Sequence, residues 1–430
     1  MTQTEPRLGG APRVLGAGLL GAYLGLARGL GWLAPVVLKR RLARGKEDPA
    51  RWREKLGEPG AARPAGPLVW LHGVGLGEVM ALRALVWALH EQDPALEFLI
   101  TSSTRVSAQV LAKSGLPRSR HQFMPLDSPV FLRPFLAHWR PDLVIWSEQD
   151  IWPAAIVEVA RRGVAQAYVN ARITPASLRQ RQRLGALFGA VLDKMALVSA
   201  QDLASEARLR QLGARRFGAV TRLKPSAPAL PVEGAALDAL RGQLGGRRVL
   251  LGASTHEGDE REIMTALHSL DPADWLVVIA PRDVARAPAI SRRLTEALRA
   301  HALRSEGLVA QTPVFLADSY GEMGLWYQLA DVALIGGGFD SVGGHNPWEA
   351  VPFDTAILHG PDDSNFAEDY RALAACGAAR QVAKGGLVAA LPGPSDARDM
   401  ARCAQRARAK EAASLSALAR ALLALREAGR

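Results

Sequence analysis

From residue 67 onward, short apolar runs alternate with longer stretches of helical spacing. Pro67–His72 (PLVWLH), Glu97–Thr101 (EFLIT), Leu143–Ser147 (LVIWS), Ala165–Asn170 and Ala196–Ala200 read as buried strands. Between them lie helical patterns such as Val79–His90. Strands alternating with helices predict a parallel, doubly wound α/β sheet. The pattern stops near Leu223. Lys224–Gly234 carries Pro225, Pro228 and Pro231 and reads as a linker. Strands then resume at Val249–Ala253, Trp275–Ala280, Val314–Leu316, Val332–Ile335 and Thr355–Leu358. Asp396–Gly429 is rich in Ala and Arg with helical periodicity and predicts a closing helix. The chain therefore divides into an anchor segment (1–45), a first α/β domain (46–223), a linker (224–235), a second α/β domain (236–395) and the closing helix (396–430).

Before the first strand the pattern is different. Val14–Leu38 is almost wholly apolar, and as one helix its 25 residues would reach ~37 Å, against a hydrocarbon core of ~30 Å. Arg28 interrupts it at a cost of roughly 2.5–3.5 kcal/mol if held at mid-membrane, and Pro35 weakens its last turns. The segment either spans or lies in the interface. Lys39, Arg40, Arg41, Arg44 and Lys46 follow, which assigns that side and the rest of the chain to the cytoplasm. A cleaved signal peptide would need a small-residue site where the lysines and arginines stand. A buried soluble helix is the other reading. Because the first strand begins near Pro67, deleting residues 1–38 is expected to leave a folded core.

Composition narrows the function. With 430 residues, 48% of them hydrophobic and 22% charged, the chain is globular and large enough for two or more domains. Its net charge of +11 sits at the ends. Residues 1–60 hold eleven Lys/Arg and five Asp/Glu, residues 401–430 seven and two, and the middle is near neutral. A nucleic-acid enzyme would more often be basic along its central cleft, whereas basic ends suit an anionic membrane surface. Two cysteines, Cys376 and Cys403, exclude a disulfide framework and a Cys-rich zinc site. The nine histidines show no metal spacing. His256-Glu257-Gly258-Asp259-Glu260 imitates a zinc-protease motif but lacks the second histidine.

Four segments carry candidate chemistry. His72-Gly73-Val74-Gly75-Leu76-Gly77-Glu78 follows a strand and opens a helix. Counted from Gly73, the third glycine of a dinucleotide fingerprint is replaced by Glu78, whose carboxylate would repel a phosphate. Glu78 is then either a partner of the helix dipole or a general base. Ile335–Glu349 runs from a strand through two glycine clusters, Gly336–Gly338 and Gly343-Gly344, to a helix with Pro347 in its first turn. It predicts an anion site of backbone N–H groups, with Glu349 placed to accept from ribose hydroxyls; a tight packing turn is the alternative. Ser254 and Thr255 follow the first strand of the second half, as ligands or as helix caps. Arg282, after WLVVIA and Pro281, puts a cation at a strand's carboxyl end, with Arg286 nearby.

Taken in order, these pieces resemble the Kdo (3-deoxy-D-manno-octulosonic acid) transferase family of lipopolysaccharide biosynthesis, over about Val36 to Ala378. In the first half the resemblance runs through Gly45-Lys46-Glu47, Trp70-Leu71-His72, Gly77-Glu78, Thr101–Thr104, Pro125-Leu126-Asp127, Glu148, Ile151-Trp152-Pro153 and Asn170-Ala171-Arg172. In the second it runs through Leu223-Lys224, Ser254-Thr255-His256, Pro281-Arg282, Gly321-Glu322, Gly343–Asn346, Glu349, Gly360-Pro361 and Asn365-Phe366. It implies a GT-B fold: two Rossmann-like domains with the active site in a cleft between them, plus a membrane-associated N-terminal helix. It implies an inverting, metal-independent transferase with no cofactor, on the cytoplasmic face of the cell inner membrane. CMP-Kdo is the implied donor and a lipid A precursor the implied acceptor. Glu78 becomes the catalytic base. Lys224, Ser254, Thr255, Arg282, Gly343, Gly344, His345, Asn346 and Glu349 become donor-binding residues, and Glu148 and Arg172 support the acceptor side.

The chain departs from the family pattern at Gly75, Ala108, Thr221-Arg222, Asp283-Val284 and Gly337-Gly338. These departures crowd the donor side and leave Glu78 in place. They keep two alternatives open: a paralogue with another donor sugar or acceptor, and an inactive membrane-tethered binding protein.

Overall fold

The computed structural model describes residues 11–148, 151–307 and 312–428; the first ten residues of the expected anchor segment lie outside them. The chain forms two compact units. One runs to Ala227 and takes back the chain from Glu411, and the other is Pro228–Lys410. The helix Pro394–Ala428 is therefore shared, its last part belonging to the first unit.

The first unit holds a six-stranded sheet of β1 (Leu68–His72), β2 (Glu97–Ser102), β3 (Ser119–Phe123), β4 (Leu143–Ser147), β5 (Ala165–Ala171) and β6 (Leu197–Ala200), all parallel, in the order β3-β2-β1-β4-β5-β6. The order reverses between β1 and β4, where His72 lies opposite Trp146. Such a switch point leaves a crevice at the carboxyl ends of the strands. Both faces of the sheet are covered. Trp70, Phe135 and Trp146 pack on one, with Trp70 5.1 Å from Trp146 and 4.9 Å from Phe135 between ring centroids. On the other, Val69, Leu71, Val79, Leu82 and Leu85 pack with Leu418 and Leu422 of the closing helix.

The second unit holds a seven-stranded parallel sheet. Its strands are β7 (Arg248–Thr255), β8 (Trp275–Pro281), β9 (His301–Leu303), β10 (Val314–Leu316), β11 (Val332–Ile335), β12 (Ala356–His359) and β13 (Ala379–Gln381), in the order β13-β12-β11-β7-β8-β10-β9. Here β7 and β11 are the central neighbours, with Ala253 opposite Ile335.

The amino-terminal pattern does not form one helix. It forms α1 (Ala11–Gly31) and α2 (Ala34–Ala43), bent by 58° about Trp32-Leu33. Pro35 starts α2 near its first turn, where its missing N–H costs nothing. Among the described residues no single helix is long and apolar enough to cross a membrane, although this bent pair together has the length and composition. Nor is α1 a detachable appendage. Leu20 is buried in the first unit's core, and Gly16 lies so close to the helix Gly185–Leu192 that a Cβ there would stand 2.3 Å from the Ala186 carbonyl oxygen. The Tyr23 hydroxyl donates to Asp127 Oδ2 at 2.7 Å, and Asp127 also accepts from the backbone N–H groups of Ala154 and Ala155. Removing residues 1–38 would strip these contacts, which corrects the expectation of an independent core. Tyr23→Phe is expected to destabilise the protein by about 1–3 kcal/mol, since it takes one hydrogen bond from a buried carboxylate. Denaturant titration of both proteins measures it.

Candidate active site

In the first unit, β1 ends at His72 and the chain turns through Gly73-Val74-Gly75 into α3 (Leu76–Gln92). Glu78 lies in the first turn of α3. Its Oε2 accepts from the Val74 N–H at 2.6 Å, so the carboxylate folds back over the glycine loop. Below it, His72 is fully buried against Thr101 and neutral, its pKa pushed down to about 3 by loss of solvation.

Next to this loop, Glu148 follows the end of β4. That residue adopts a left-handed backbone (φ 60°), as does Asn170 near the end of neighbouring β5 (φ 49°). Two non-glycine residues held in this region at adjacent strand ends are strained positions that the surrounding contacts must maintain. Those contacts are visible. The Tyr168 hydroxyl and the Arg172 N–H both donate to the Glu148 carbonyl, and Asn170 Nδ2 donates to Glu148 Oε1 at 3.2 Å. Lys224 Nζ stands 4.0 Å from the same carboxylate, on a segment that Leu223 ties to Asn170 through its N–H. Burial raises the Glu148 pKa, while the charges of Lys224 and Arg172 pull it back down. The result is a desolvated carboxylate with a cation beside it, at the switch point next to Glu78.

In the second unit the corresponding strand ends are those of β7 and β11. Ser254 is again left-handed (φ 54°), and the Thr255 hydroxyl is buried with no hydrogen-bond partner among the described residues. Arg282 follows β8, exposed, its N–H donating to the Thr255 carbonyl at 3.0 Å. The loop after β11 brings His345 face to face with His256, ring centroids 5.1 Å apart and Nε2 atoms 2.9 Å apart. Burial, then His256 and Arg282, push the His345 pKa down to about 4, so the ring is neutral at pH 7. Glu349 follows at the surface, its Oε1 3.5 Å from Asn346 Nδ2. The protein packed around it raises its pKa, and Asn346 and Arg282 oppose that rise.

The glycine clusters act differently from the expectation. Gly337, Gly343 and Gly344 take φ of 81°, 89° and 73°, which explains the residue choice. Several of the loop's N–H groups, however, are consumed internally. Gly337 donates to Asp259, Gly344 to the Gly337 carbonyl and His345 to the Gly336 carbonyl. The helix predicted after Pro347 is a pair of 3-10 turns, Pro347–Glu349 and Val351–Phe353, because Pro352 cannot continue an α-helical ladder. The loop therefore works as a rigid bracket for His345, Asn346 and Glu349. Asp259 is the residue that pins it, accepting from His256, Gly337 and Phe339 while fully buried. Its position three residues after His256, a capping-box spacing, was the available signal.

The predicted residues thus fall into two groups. Glu78, Glu148, Arg172 and Lys224 lie in the first unit, where Lys224 stands beside the Glu148 carboxylate. Ser254, Thr255, Arg282, Gly343, Gly344, His345, Asn346 and Glu349 gather in the second. Among the described residues, no three His, Cys, Asp or Glu side chains could together hold a metal ion.

Residues 50–226 match the family model for 3-deoxy-D-manno-octulosonic-acid transferase (kdotransferase). The 3-deoxy-D-manno-octulosonic acid transferase of Rickettsia bellii (strain RML369-C) is 31% identical over 355 residues, covering 81% of this chain and 84% of that protein. The chain belongs to this family. The Kdo transferase of Bordetella pertussis is 33% identical over 377 residues, 84% of this chain and 87% of that one. Among solved structures, a glycosyltransferase from Rickettsia africae ESF-5 superimposes with a TM-score of 0.53 at 10% identity, over 85% of this chain and 99% of that chain. A putative UDP-N-acetylglucosamine 2-epimerase from Listeria monocytogenes gives 0.52 at 13% identity, over 79% and 91%. At these identities they show the fold alone: two parallel-sheet α/β domains resembling GT-B glycosyltransferases. Family membership makes this Kdo transferase a glycosyltransferase of lipopolysaccharide biosynthesis.

Proposed function

We propose that the enzyme moves Kdo from CMP-Kdo to a lipid A precursor with inversion, at the cytoplasmic surface of the inner membrane. The observation that carries this reading is that Glu78, on the glycine loop after β1, and the desolvated Glu148–Lys224 pair, after neighbouring β4, follow adjacent strand ends. In this reading an acceptor hydroxyl gives its proton to Glu78 as its oxygen attacks the anomeric carbon of Kdo. The bond from that carbon to the phosphate oxygen breaks on the opposite face, and CMP departs with the electron pair. Lys224 offsets negative charge on Kdo's carboxylate and on the departing phosphate, and Glu148 holds Lys224 in place. Thr255, with its unpartnered hydroxyl, and Arg282, His345, Asn346 and Glu349 receive the nucleotide.

Membrane association draws support from the surface of the helical pair. Leu15, Leu26, Leu30, Trp32, Leu33, Val36 and Val37 are exposed, and Lys39, Arg40, Arg44 and Lys46 follow directly. An apolar face bordered by cations suits an anionic bilayer interface. Calorimetric titration tests the donor assignment. CMP is expected to bind at least tenfold more tightly than UDP, a difference of about 1.4 kcal/mol, and a preference for UDP would turn the reading toward a different sugar donor.

A further inference from the structure

The first unit contains a cavity of about 520 Å³ roofed by the bend between α1 and α2. Its walls are Leu30, Leu33, Ala34, Val37 and Leu38 above, and Met124, Leu126 and Trp152 below. One end is polar. Glu47, nearly fully buried, is held by Lys55 Nζ at 2.6 Å and Arg41 Nε at 2.5 Å, leaving one net positive charge there. A volume of this size falls within the roughly 300–1,000 Å³ of ligand pockets.

Two features, with the cationic end, identify the occupant. Leu30, Leu33 and Val37 line the cavity and are also about half exposed, so its roof is continuous with the apolar outer face of the helical pair. The cavity also adjoins the catalytic loop: Ser103, in its wall, donates its N–H to the Val74 carbonyl at 3.1 Å, and the Val74 N–H is the group that Glu78 accepts from. Apolar walls that open onto an exposed apolar face and a cationic end describe a long alkyl chain with a nearby anionic group.

We propose that this cavity receives one acyl chain of the phosphorylated glycolipid acceptor, drawn in under the α1–α2 bend. The acceptor's anionic group lies toward Arg41 and Lys55. The inference rests on the acceptor reading above and adds to it a recognition element: the enzyme measures the acceptor's lipid as well as its sugar.

Two measurements on the full chain test it. In the first, a tetraacylated, diphosphorylated disaccharide with a diazirine near the middle of its acyl chains is irradiated with the wild-type enzyme and the labelled peptides are sequenced. Label is expected on Met124, Leu126 or Trp152; label confined to outward positions such as Leu26 and Trp32 overturns the proposal. In the second, Ala34→Trp fills the cavity. The KM for the same acylated acceptor is expected to rise at least tenfold, with CMP affinity moving less than twofold; an unchanged KM in this folded variant overturns the proposal. If the wild-type enzyme transfers Kdo to the acylated acceptor and neither effect appears, the cavity proposal alone fails. If it transfers Kdo to no acceptor of this class, the acceptor reading fails with it.

Discussion

Glu78→Gln is expected to lower single-turnover transfer by ~10²–10⁴, the usual cost of losing a general base. Glutamine keeps the side-chain volume, and its amide oxygen can still accept from the Val74 N–H that the carboxylate now holds at 2.6 Å. The loop should therefore keep its shape. What the substitution removes is the basic oxygen. A purely structural Glu78, acting on the dipole of α3, would be worth only about 0.3–1 kcal/mol of stability and nothing in turnover. The two roles are read by different instruments. The account expects a collapsed chemical rate with CMP affinity and melting temperature nearly unchanged. A single-turnover rate within threefold of wild type would move the base elsewhere, and Glu148 would be the next carboxylate to test.

Lys224→Met is the second large effect, expected at ~10²–10³ in turnover, comparable to removing one preorganised electrostatic donor from an active site. The substitution has a second, separable signature. Burial already raises the Glu148 pKa, and Lys224 is the first of the two cations that hold it down. Without Lys224 the pKa rises further, so the pH at which Glu148 ionises moves upward. The sign follows for stability too. A carboxyl whose folded pKa is raised stabilises the fold below its unfolded pKa, near 4.3, and that contribution is lost as pH rises through the folded value. In the variant this loss starts at the same pH but extends to higher pH and is larger. Lys224→Arg should restore most of the activity and the wild-type pH profile. If Lys224→Met and wild type share one turnover and one pH profile, the Glu148–Lys224 pair serves the fold only.

Most of the two sheets could be read from the chain because their central strands are apolar on both faces. The strands that escaped detection are β3, β9 and β13. Each is an edge strand with a single neighbour, so polar residues such as those of Ser119–Phe123 (SRHQF) and Ala379–Gln381 (ARQ) are tolerated there. The amino-terminal helix was legible in composition but not in shape, since nothing in an apolar run announces that Gly16 and Tyr23 dock on the chain's own first unit. The site was legible in residue type and less so in grouping. The family resemblance gave Lys224 as a donor-side cation without naming its carboxylate partner. Its neighbour Glu148 is set by the strained backbone at 148 and 170, which a sequence pattern does not encode. The glycine loop after β11 was visible as a loop, but its internal hydrogen bonds to Asp259 and to its own carbonyls depend on a helix start some 80 residues earlier.

The central claim is that this chain transfers Kdo from a cytidine monophosphate donor onto a lipid acceptor. Its most direct test is to incubate the purified full-length protein, in mixed micelles, with CMP-Kdo and a tetraacylated lipid A precursor, and to read the lipid by mass spectrometry. The account predicts a lipid product heavier by one or more Kdo residues, formed together with one CMP per Kdo added, and at least about a hundredfold slower to form with Glu78→Gln. CMP release without any gain in lipid mass, or lipid glycosylation only when a UDP-sugar replaces CMP-Kdo, would contradict it.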